Sequence, residues 1–265
     1  MRAALIQMNS RTDTAENLAA LDTLVRAAHA KAAPELIVTP EYTSFLGGSR
    51  AALRAAAEPL PDGPSWQLGA ALAAELGITL HLGSILEADG DRIYNTALVF
   101  GPDGTERARY RKIHMLEVQT ASGRAYREAD LLTAGTQIVT DPLGDWTVGV
   151  SICFDLRFAG LYGRQRAAGA EILTIPAAFN ADTGRAHWEV LCRARAIETQ
   201  SYVLAPGQTG THPQPSGERP CHGNSLIIDP WGEILARAPD GPGWIAAELD
   251  PAHLLDIRRR MPLTP

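Results

Sequence analysis

The segment that most constrains this chain is residues 148–158, Val-Gly-Val-Ser-Ile-Cys-Phe-Asp-Leu-Arg-Phe. A run rich in β-branched residues leads into Cys153, and the apolar residues of 154–168 have helical spacing that stops near Gly169. The pattern predicts a strand that delivers Cys153 to a sharp turn at the start of a helix. Unpaired N–H groups and the positive end of the helix dipole favour a thiolate there and, later, an oxyanion. A buried structural cysteine is the alternative interpretation.

The rest of the chain alternates between strand and helix patterns, which indicates an α/β fold with a mixed sheet or sheets. Helices are predicted from Thr14 to before Pro34, over 66–76 and over 187–199, and a short helix is predicted to end at Arg258 to Arg260. The Pro-rich stretch 206–220 is predicted to be a long loop. Because no composition shift marks a boundary, residues 1–265 are expected to form a single domain. The predicted strands are 3–7, 36–39, 78–85, 94–100, 171–175, 202–205, 224–228 and 245–249.

Composition excludes several classes of function. The chain of 265 residues has a formal net charge of −6 with both signs scattered, so neither nucleic acid nor a membrane surface is an expected partner. Three cysteines cannot form a disulfide framework, and an odd number fits a reducing compartment. The chain opens on a strand pattern without a leader-like segment, and no apolar run approaches membrane length. A cytoplasmic protein is expected.

Three charged residues follow predicted strands or lie in loops near them. Glu41 follows the strand 36–39, Lys112 ends the strand after the 101–104 turn, and Glu128 lies in a loop. Ligands of open α/β sheets collect at the carboxyl ends of strands, where a carboxylate could take a thiol proton and an ammonium could hold an oxyanion. Each residue taken singly is more often a solvated charge, and spacing alone does not join them.

Three ordered blocks join these residues by resemblance. Pro40-Glu41-Tyr42, Tyr110-Arg111-Lys112-Ile113-His114 and residues 152–158 resemble the signature blocks of the nitrilase (carbon–nitrogen hydrolase) superfamily. Lesser blocks agree, among them Tyr94-Asn95-Thr96 and Pro176-Ala177-Ala178-Phe179. The resemblance implies a four-layer α-β-β-α sandwich that forms a homodimer or a higher homo-oligomer. It extends to the Nit branch, which includes deaminated glutathione amidases and omega-amidases.

The resemblance also implies the chemistry. The chain is expected to hydrolyse a small carboxylate-bearing amide through a thioester on Cys153, with the amide and water as its only partners in the reaction. Glu41 would be the general base and acid, Lys112 and the backbone N–H of Phe154 would stabilise the oxyanion, and Glu128 would keep Lys112 charged. No metal or organic cofactor is expected. The 187–198 segment resembles deaminated glutathione amidases more closely, whereas Asn180 and its neighbours resemble omega-amidases at least as much.

Four further residues are candidates for substrate binding. Arg157 lies four residues after the cysteine and could meet a substrate carboxylate or, equally, a structural acid. Phe179, Asn180 and Thr183 follow a predicted strand end and could line the acyl pocket, although a plain turn is an equal alternative.

Several other side chains are given structural interpretations. His114 is expected to pack beside the lysine strand rather than to pair with Cys153, and Trp188 is expected in the core or at a subunit interface. His212, Cys221 and His222 lack the spacing of a metal site. The rival functions are a catalytically silent binding module and a redox cysteine protein. An intact set of acid, lysine and cysteine disfavours the first, and the absence of a nearby resolving cysteine disfavours the second.

Overall fold

Two large β-sheets form the centre of the protein in a computed structural model that describes residues 1–119, 125–214 and 217–263. Within these residues the first sheet has seven strands in the order β17-β1-β2-β4-β5-β6, with β3 beside β4. Strands β1, β2 and β4 run parallel, and β5, β6 and β17 pair antiparallel to their neighbours. Its strands are β1 (Arg2–Gln7), β2 (Leu36–Val38), β3 (Glu58–Pro59), β4 (Thr79–Asp89), β5 (Arg92–Phe100), β6 (Glu106–Arg111) and β17 (Gly243–Glu248).

The second sheet has six strands within the described ranges, in the order β16-β15-β12-β11-β10-β9. Strands β10, β11 and β12 are parallel, and the others are antiparallel. These strands are β9 (Val139–Leu143), β10 (Trp146–Val150), β11 (Ile172–Thr174), β12 (Tyr202–Ala205), β15 (Leu226–Ile228) and β16 (Ile234–Arg237). Two hairpins lie outside the sheets: β7 (Glu117–Gln119) with β8 (Ala125–Arg127), and β13 (Thr209–Gln214) with β14 (Gly217–His222).

Helices cover the outer faces of both sheets. Asp13 caps the start of helix α1, where its side chain accepts a hydrogen bond from the backbone N–H of Glu16. Helix α3 has proline in its first turn, where no backbone hydrogen bond is lost. Helices α1 and α3 pack on the first sheet, and α4 and α5 pack on the second. The helices are α1 (Thr14–Ala32), α2 (Arg50–Ala55), α3 (Pro64–Leu76), α4 (Ala159–Ala167), α5 (Ala181–Thr199) and α6 (Pro251–Arg260).

Alternation along the strands divides the core into layers. In β1, Ala4 and Ile6 pack beneath the helices, whereas Ala3 and Leu5 face the second sheet. Val148 of β10 and Ile172 of β11, in the second sheet, pack in the same cluster as Ala3 and Leu5. Because both faces of each central strand are buried, the strands read as nearly continuous apolar runs. The expected single-domain α-β-β-α sandwich is confirmed.

Some elements differ from the sequence predictions. The stretch predicted to be a long loop contains most of the β13–β14 ribbon, because Pro213 and Pro220 lie in a two-stranded hairpin, which tolerates proline better than a central strand does. Helix α5 begins at Ala181, six residues before the predicted start, since Asn180 caps it. Helix α2 and strands β9 and β16 were not predicted, because their sequence patterns are short or weakly periodic. None of the described helices is long and apolar enough to cross a membrane.

Strand direction gathers the candidate residues at one edge. The carboxyl ends of β2, β6, β10 and β11 all lie at this edge, because β6 is antiparallel to β5 and therefore parallel to β2 and β4. Glu41, Lys112 and Cys153 follow β2, β6 and β10 respectively.

Candidate active site

Cys153 lies on a tight turn directly after β10. Its φ of +46° is in the left-handed region, which a residue with a side chain adopts only when its surroundings hold it there. Its backbone N–H donates to the carbonyl of Pro176 at 2.9 Å. The following residues form a 3₁₀ turn, Cys153–Arg157, and α4 begins only at Ala159. The predicted sharp turn is present, and the predicted helix is divided into this 3₁₀ turn and α4.

The buried carboxylate of Asp155 explains the shape of this turn. Its Oδ2 accepts hydrogen bonds from the Tyr110 hydroxyl at 2.7 Å and the Ile152 N–H at 2.9 Å. Its Oδ1 accepts one from the His114 N–H at 3.1 Å and lies 2.6 Å from His114 Nδ1. Asp155 thus ties the nucleophile turn to the segment that follows β6. The His114 ring stacks on Phe158 at 3.7 Å between centroids, so its described partners are structural.

Glu41 is buried directly after β2. Its Oε1 accepts hydrogen bonds from Asn95 Nδ2 at 2.8 Å and from Lys112 Nζ at 3.0 Å. Its Oε2 accepts one from the Ala178 N–H at 2.8 Å, and the buried Cys153 thiol lies beside this carboxylate, whose charge acts on it. Glu41 therefore contacts both of the other predicted catalytic side chains.

Lys112 lies between two carboxylates with its ammonium group buried. Glu128 binds it through both oxygens, at 3.0 and 2.9 Å, and also accepts a hydrogen bond from the Leu116 N–H at 2.8 Å. The Tyr42 hydroxyl donates to Glu128 at 3.4 Å. Glu128, predicted in a loop, is the first residue of a 3₁₀ turn, Glu128–Asp130. The structure thus brings Glu41, Lys112, Glu128 and Cys153 into one cluster.

Opposing effects set the protonation states of this cluster. Burial would lower the pKa of Lys112, but the charges of Glu128 and Glu41 raise it well above its usual value, so the ammonium persists. Burial and the charge of Glu41 raise the pKa of Cys153 well above that of a free thiol, and these effects outweigh that of Lys112. The resting group is a thiol, which corrects the expectation of a thiolate. Residue 153 starts a short 3₁₀ turn beside a carboxylate, not a long helix with a free dipole.

The β13–β14 hairpin forms a further wall of the site. Arg219 donates to the carbonyl of Ala178 at 2.6 Å, and residues 180 and 221 form an isolated bridge. Burial, together with the charge of Glu41, raises the pKa of the Cys221 thiol to about 11 despite the opposing effect of Arg219. In the described residues, neither Cys221 nor His212 or His222 belongs to a cluster that could hold a metal ion.

Arg157 lies at the rim of the cluster, framed by aromatic rings. Its guanidinium is 5.3 Å from the centroid of Phe179 and 5.8 Å from that of Phe154, and its two terminal nitrogens are 3.3 Å from His187 Nδ1. None of the described carboxylates forms an ion pair with it, so within those residues the structural-acid alternative has no partner.

The other binding candidates divide between pocket and cap. Phe179 is buried and packs on Trp188 at 5.2 Å, which places Trp188 in the core. The Asn180 side chain accepts a hydrogen bond from the Asp182 N–H and caps α5. Thr183 is exposed, and its hydroxyl donates to the Asn180 carbonyl at 3.4 Å. The side-chain contacts described for Asn180 and Thr183 are those of a helix start.

Three groups of this site were not identified from the sequence as site residues. Asn95 contacts Glu41 from β5, the Ala178 N–H contacts it from the segment after β11, and Gln208 Nε2 donates to the Glu41 carbonyl at 3.0 Å. Asn95 and Ala178 lie in the lesser blocks of the family resemblance, which could have identified them as site residues. No sequence pattern marks Gln208, because its contact joins segments 167 residues apart.

Comparison with known proteins agrees with this geometry. The carbon–nitrogen hydrolase family profile matches residues 2–259. The chain is 38% identical to the deaminated glutathione amidase of Synechocystis over 98% of this chain and 95% of that protein. It is 36% identical to the omega-amidase NIT2 of Danio rerio over 99% of this chain and 93% of that protein. The crystal structure of Saccharomyces cerevisiae Nit3, a member of branch 10 of the nitrilase superfamily, superposes with a TM-score of 0.89 at 31% identity, covering 100% and 95% of the two chains. This chain belongs to the carbon–nitrogen hydrolase family.

Proposed function

We propose that the protein is a cysteine-dependent amidase that cleaves a small carboxylate-bearing amide through a thioester. The observation that carries the proposal is the contact of one buried carboxylate, Glu41, with both the Cys153 thiol and the Lys112 ammonium. A base, a nucleophile and a cation in direct contact are the components of covalent acyl transfer.

Acylation begins with the neutral thiol. As sulfur attacks the amide carbon, the thiol proton passes to Glu41, so a free thiolate need not accumulate. The carbonyl oxygen becomes an oxyanion, which Lys112 and the backbone N–H of Phe154 stabilise. Loss of one such donor typically costs about 100- to 1,000-fold in rate. Glu41 then gives its proton to the departing nitrogen, the C–N bond breaks, and the acyl group remains on sulfur.

Deacylation repeats the proton transfers with water as the nucleophile. Glu41 takes a proton from water as its oxygen attacks the thioester, and the same two donors hold the second oxyanion. When the C–S bond breaks, the proton on Glu41 returns to sulfur. The carboxylic acid leaves, and Cys153 is again a thiol.

For the substrate, we propose an amide with a carboxylate on its acyl side. Arg157 offers its guanidinium at the rim without an ion-pair partner among the described carboxylates, and aromatic rings flank it. Bidentate binding of a carboxylate suits this group. Similarity to deaminated glutathione amidases supports deaminated glutathione as the substrate, and similarity to omega-amidases supports α-ketoglutaramate or succinamate-like amides as the alternative.

Deaminated glutathione and α-ketoglutaramate differ only on the leaving-group side. Deaminated glutathione and α-ketoglutaramate share an α-ketoglutaryl group, and the first releases a dipeptide amine whereas the second releases ammonia. Measuring α-ketoglutarate formation therefore compares both in one assay, with a simple aliphatic amide followed by ammonia release. A kcat/KM more than about tenfold higher for one substrate, equivalent to about 1.4 kcal/mol, assigns the activity.

The variant Cys153→Ala is the control for every substrate. Equal activity of this variant and the wild type would refute the proposed mechanism. A catalytically silent binding module is the alternative from another class. It predicts no covalent adduct at Cys153 by mass spectrometry with any amide or ester, whereas the amidase predicts a thioester.

We also propose a homodimer formed through α5. Val190 and Ile197 lie seven residues apart on one face of α5, are 66% and 42% exposed, and Ile197 approaches Gly232 beside the exposed Trp231. Light scattering should give a dimer mass that Val190→Asp converts to a monomer mass; a monomeric wild type would contradict this proposal.

The three free cysteines and the need for a reduced Cys153 support a cytoplasmic location, which cell fractionation checks.

A further inference from the structure

Asn95 contacts two of the proposed catalytic residues at once. It is fully buried in β5, where its side-chain Nδ2 donates to Glu41 Oε1 at 2.8 Å. Its backbone carbonyl accepts a hydrogen bond from the Lys112 N–H at 2.9 Å. Its Oδ1 is buried without a hydrogen-bond partner in the described part of the chain. A reversed amide would direct that oxygen at the Glu41 carboxylate, so repulsion keeps the NH₂ group facing Glu41.

The contacts of Glu41 are divided unequally between its two oxygens. Oε1 accepts from Asn95 and Lys112, which fills the two lone-pair directions of a carboxylate oxygen. Oε2 accepts only the Ala178 N–H among the described nitrogen and oxygen donors and keeps one direction open. The open direction is on the oxygen that Asn95 does not contact.

We infer that Asn95 is a positioning residue that occupies Oε1 of Glu41, so that the proton exchanged with Cys153 and the leaving nitrogen resides on Oε2. The part of the inference that concerns proton transfer to the leaving nitrogen rests on the proposed function. The contact of Asn95 with Glu41 is independent of any substrate. Without Asn95, Glu41 would gain a second site for the proton and freedom to rotate. A base displaced by about 1 Å can lose about 100-fold in rate.

The charged groups around Glu41 determine how a substitution at position 95 would change the pH dependence of this base. A second carboxyl group at position 95 would share a proton with Glu41, because two adjacent carboxylates do not both ionise readily. The base would then become available only at higher pH. Among the described residues, the titratable and charged groups around Glu41 are Lys112, Cys153, Glu128, Cys221 and Arg219.

The test compares Asn95→Asp and Asn95→Ala with Asn17→Asp. Asn17 is a matched control, since it is also buried and makes three hydrogen bonds, but these bonds join it to the backbone of Arg11 and Ser44 and to no group of the cluster. The acid limb of kcat/KM should move up by at least about one pH unit in Asn95→Asp. In Asn95→Ala kcat should fall about 10- to 100-fold with KM changed less than about threefold. Asn17→Asp should keep the wild-type pH profile.

A second readout needs no substrate. Iodoacetamide alkylates the thiolate, and peptide mapping by mass spectrometry isolates the rate at Cys153. An added negative charge near Glu41 should slow this alkylation at pH 8.5 by at least about threefold in Asn95→Asp and not in Asn17→Asp. That result supports the inference even if the wild type hydrolyses none of the amides, which would count against the proposed function alone. Alkylation that is unchanged in Asn95→Asp, or slowed equally in Asn17→Asp, would overturn the inference.

Discussion

Replacing Asp155 with asparagine tests why Cys153 is held in a left-handed conformation. The Asp155 carboxylate is fully buried and accepts hydrogen bonds from Tyr110, from Ile152 and from the backbone and ring of His114. Asparagine has nearly the same shape but only one acceptor oxygen and an NH₂ group in place of the other. The substitution therefore changes hydrogen bonding and charge while leaving packing almost unchanged.

The cost follows from the best orientation available to the new amide. Its oxygen keeps the bonds from Tyr110 and Ile152, and its NH₂ group donates to His114 Nδ1. The His114 N–H then loses its partner, at about 1–3 kcal/mol, and the retained bonds lose about half their strength with the charge. The free energy of unfolding should fall by about 3–5 kcal/mol. At about 2–4 °C per kcal/mol for a chain of this size, Tm should fall by about 10 °C.

Urea unfolding and calorimetry measure this loss, with two variants as references. Tyr110→Phe removes one of the four bonds and should cost about half as much. Asp182→Asn, whose side chain is 80% exposed, should stay within about 0.5 kcal/mol of the wild type. Because the turn at Cys153 relaxes, kcat of Asp155→Asn should also fall by at least about tenfold. A decrease in Tm of less than about 2 °C would refute the conclusion that Asp155 holds the turn at Cys153.

Three further predictions address the cation cluster, a buried histidine and the rim. Glu128→Gln breaks a buried ion pair and should lower the free energy of unfolding by about 3–5 kcal/mol and kcat by at least about 100-fold, measured by urea unfolding and initial rates; wild-type kcat would contradict the role given to Glu128. Burial lowers the pKa of His81 to about 3. Because this side chain is protonated in the unfolded chain but not in the folded chain between about pH 6.5 and 3, the free energy of unfolding should fall as the pH drops through that range. Urea unfolding of His81→Phe should show a shallower decline, and parallel curves would count against this. Arg157→Gln should lower kcat/KM about 100-fold for carboxylate-bearing amides and leave a simple aliphatic amide unaffected; equal losses on both would argue against carboxylate binding.

The backbone positions of the three main catalytic candidates were predictable from local pattern. Glu41 and Cys153 each follow an apolar or β-branched strand, Lys112 follows the strand after the 101–104 turn, and strand direction brings such ends to one edge. Only the family resemblance joined them into one site, because spacing along the chain carries no distance between strands. Glu128 was assigned by resemblance as well, and its two bonds to Lys112 depend on the path of a turn that periodicity does not predict.

The remaining errors arose where long-range contacts outweighed local preference. The β13–β14 ribbon contains Pro213 and Pro220, which locally favour a loop, but pairing across the ribbon holds them in extended strands. Asn95 lies inside a strand pattern, so its contact with Glu41 became visible only with the register of β5. The protonation of Cys153 followed the same principle, since burial beside a carboxylate outweighed the expected effect of a helix end.

The pairing of one lysine with two carboxylates follows from charge conservation in the proposed reaction. Glu41, Glu128 and Lys112 give the buried cluster a net charge of −1 while the Cys153 thiol is neutral. When the thiol proton moves to Glu41, negative charge passes to sulfur and then to the carbonyl oxygen beside Lys112, and the total does not change. Glu41 is uncharged at that moment and no longer balances the ammonium. Glu128 then holds Lys112 charged and in place through the step in which the oxyanion needs it, which is why one carboxylate serves as the base and the other must not.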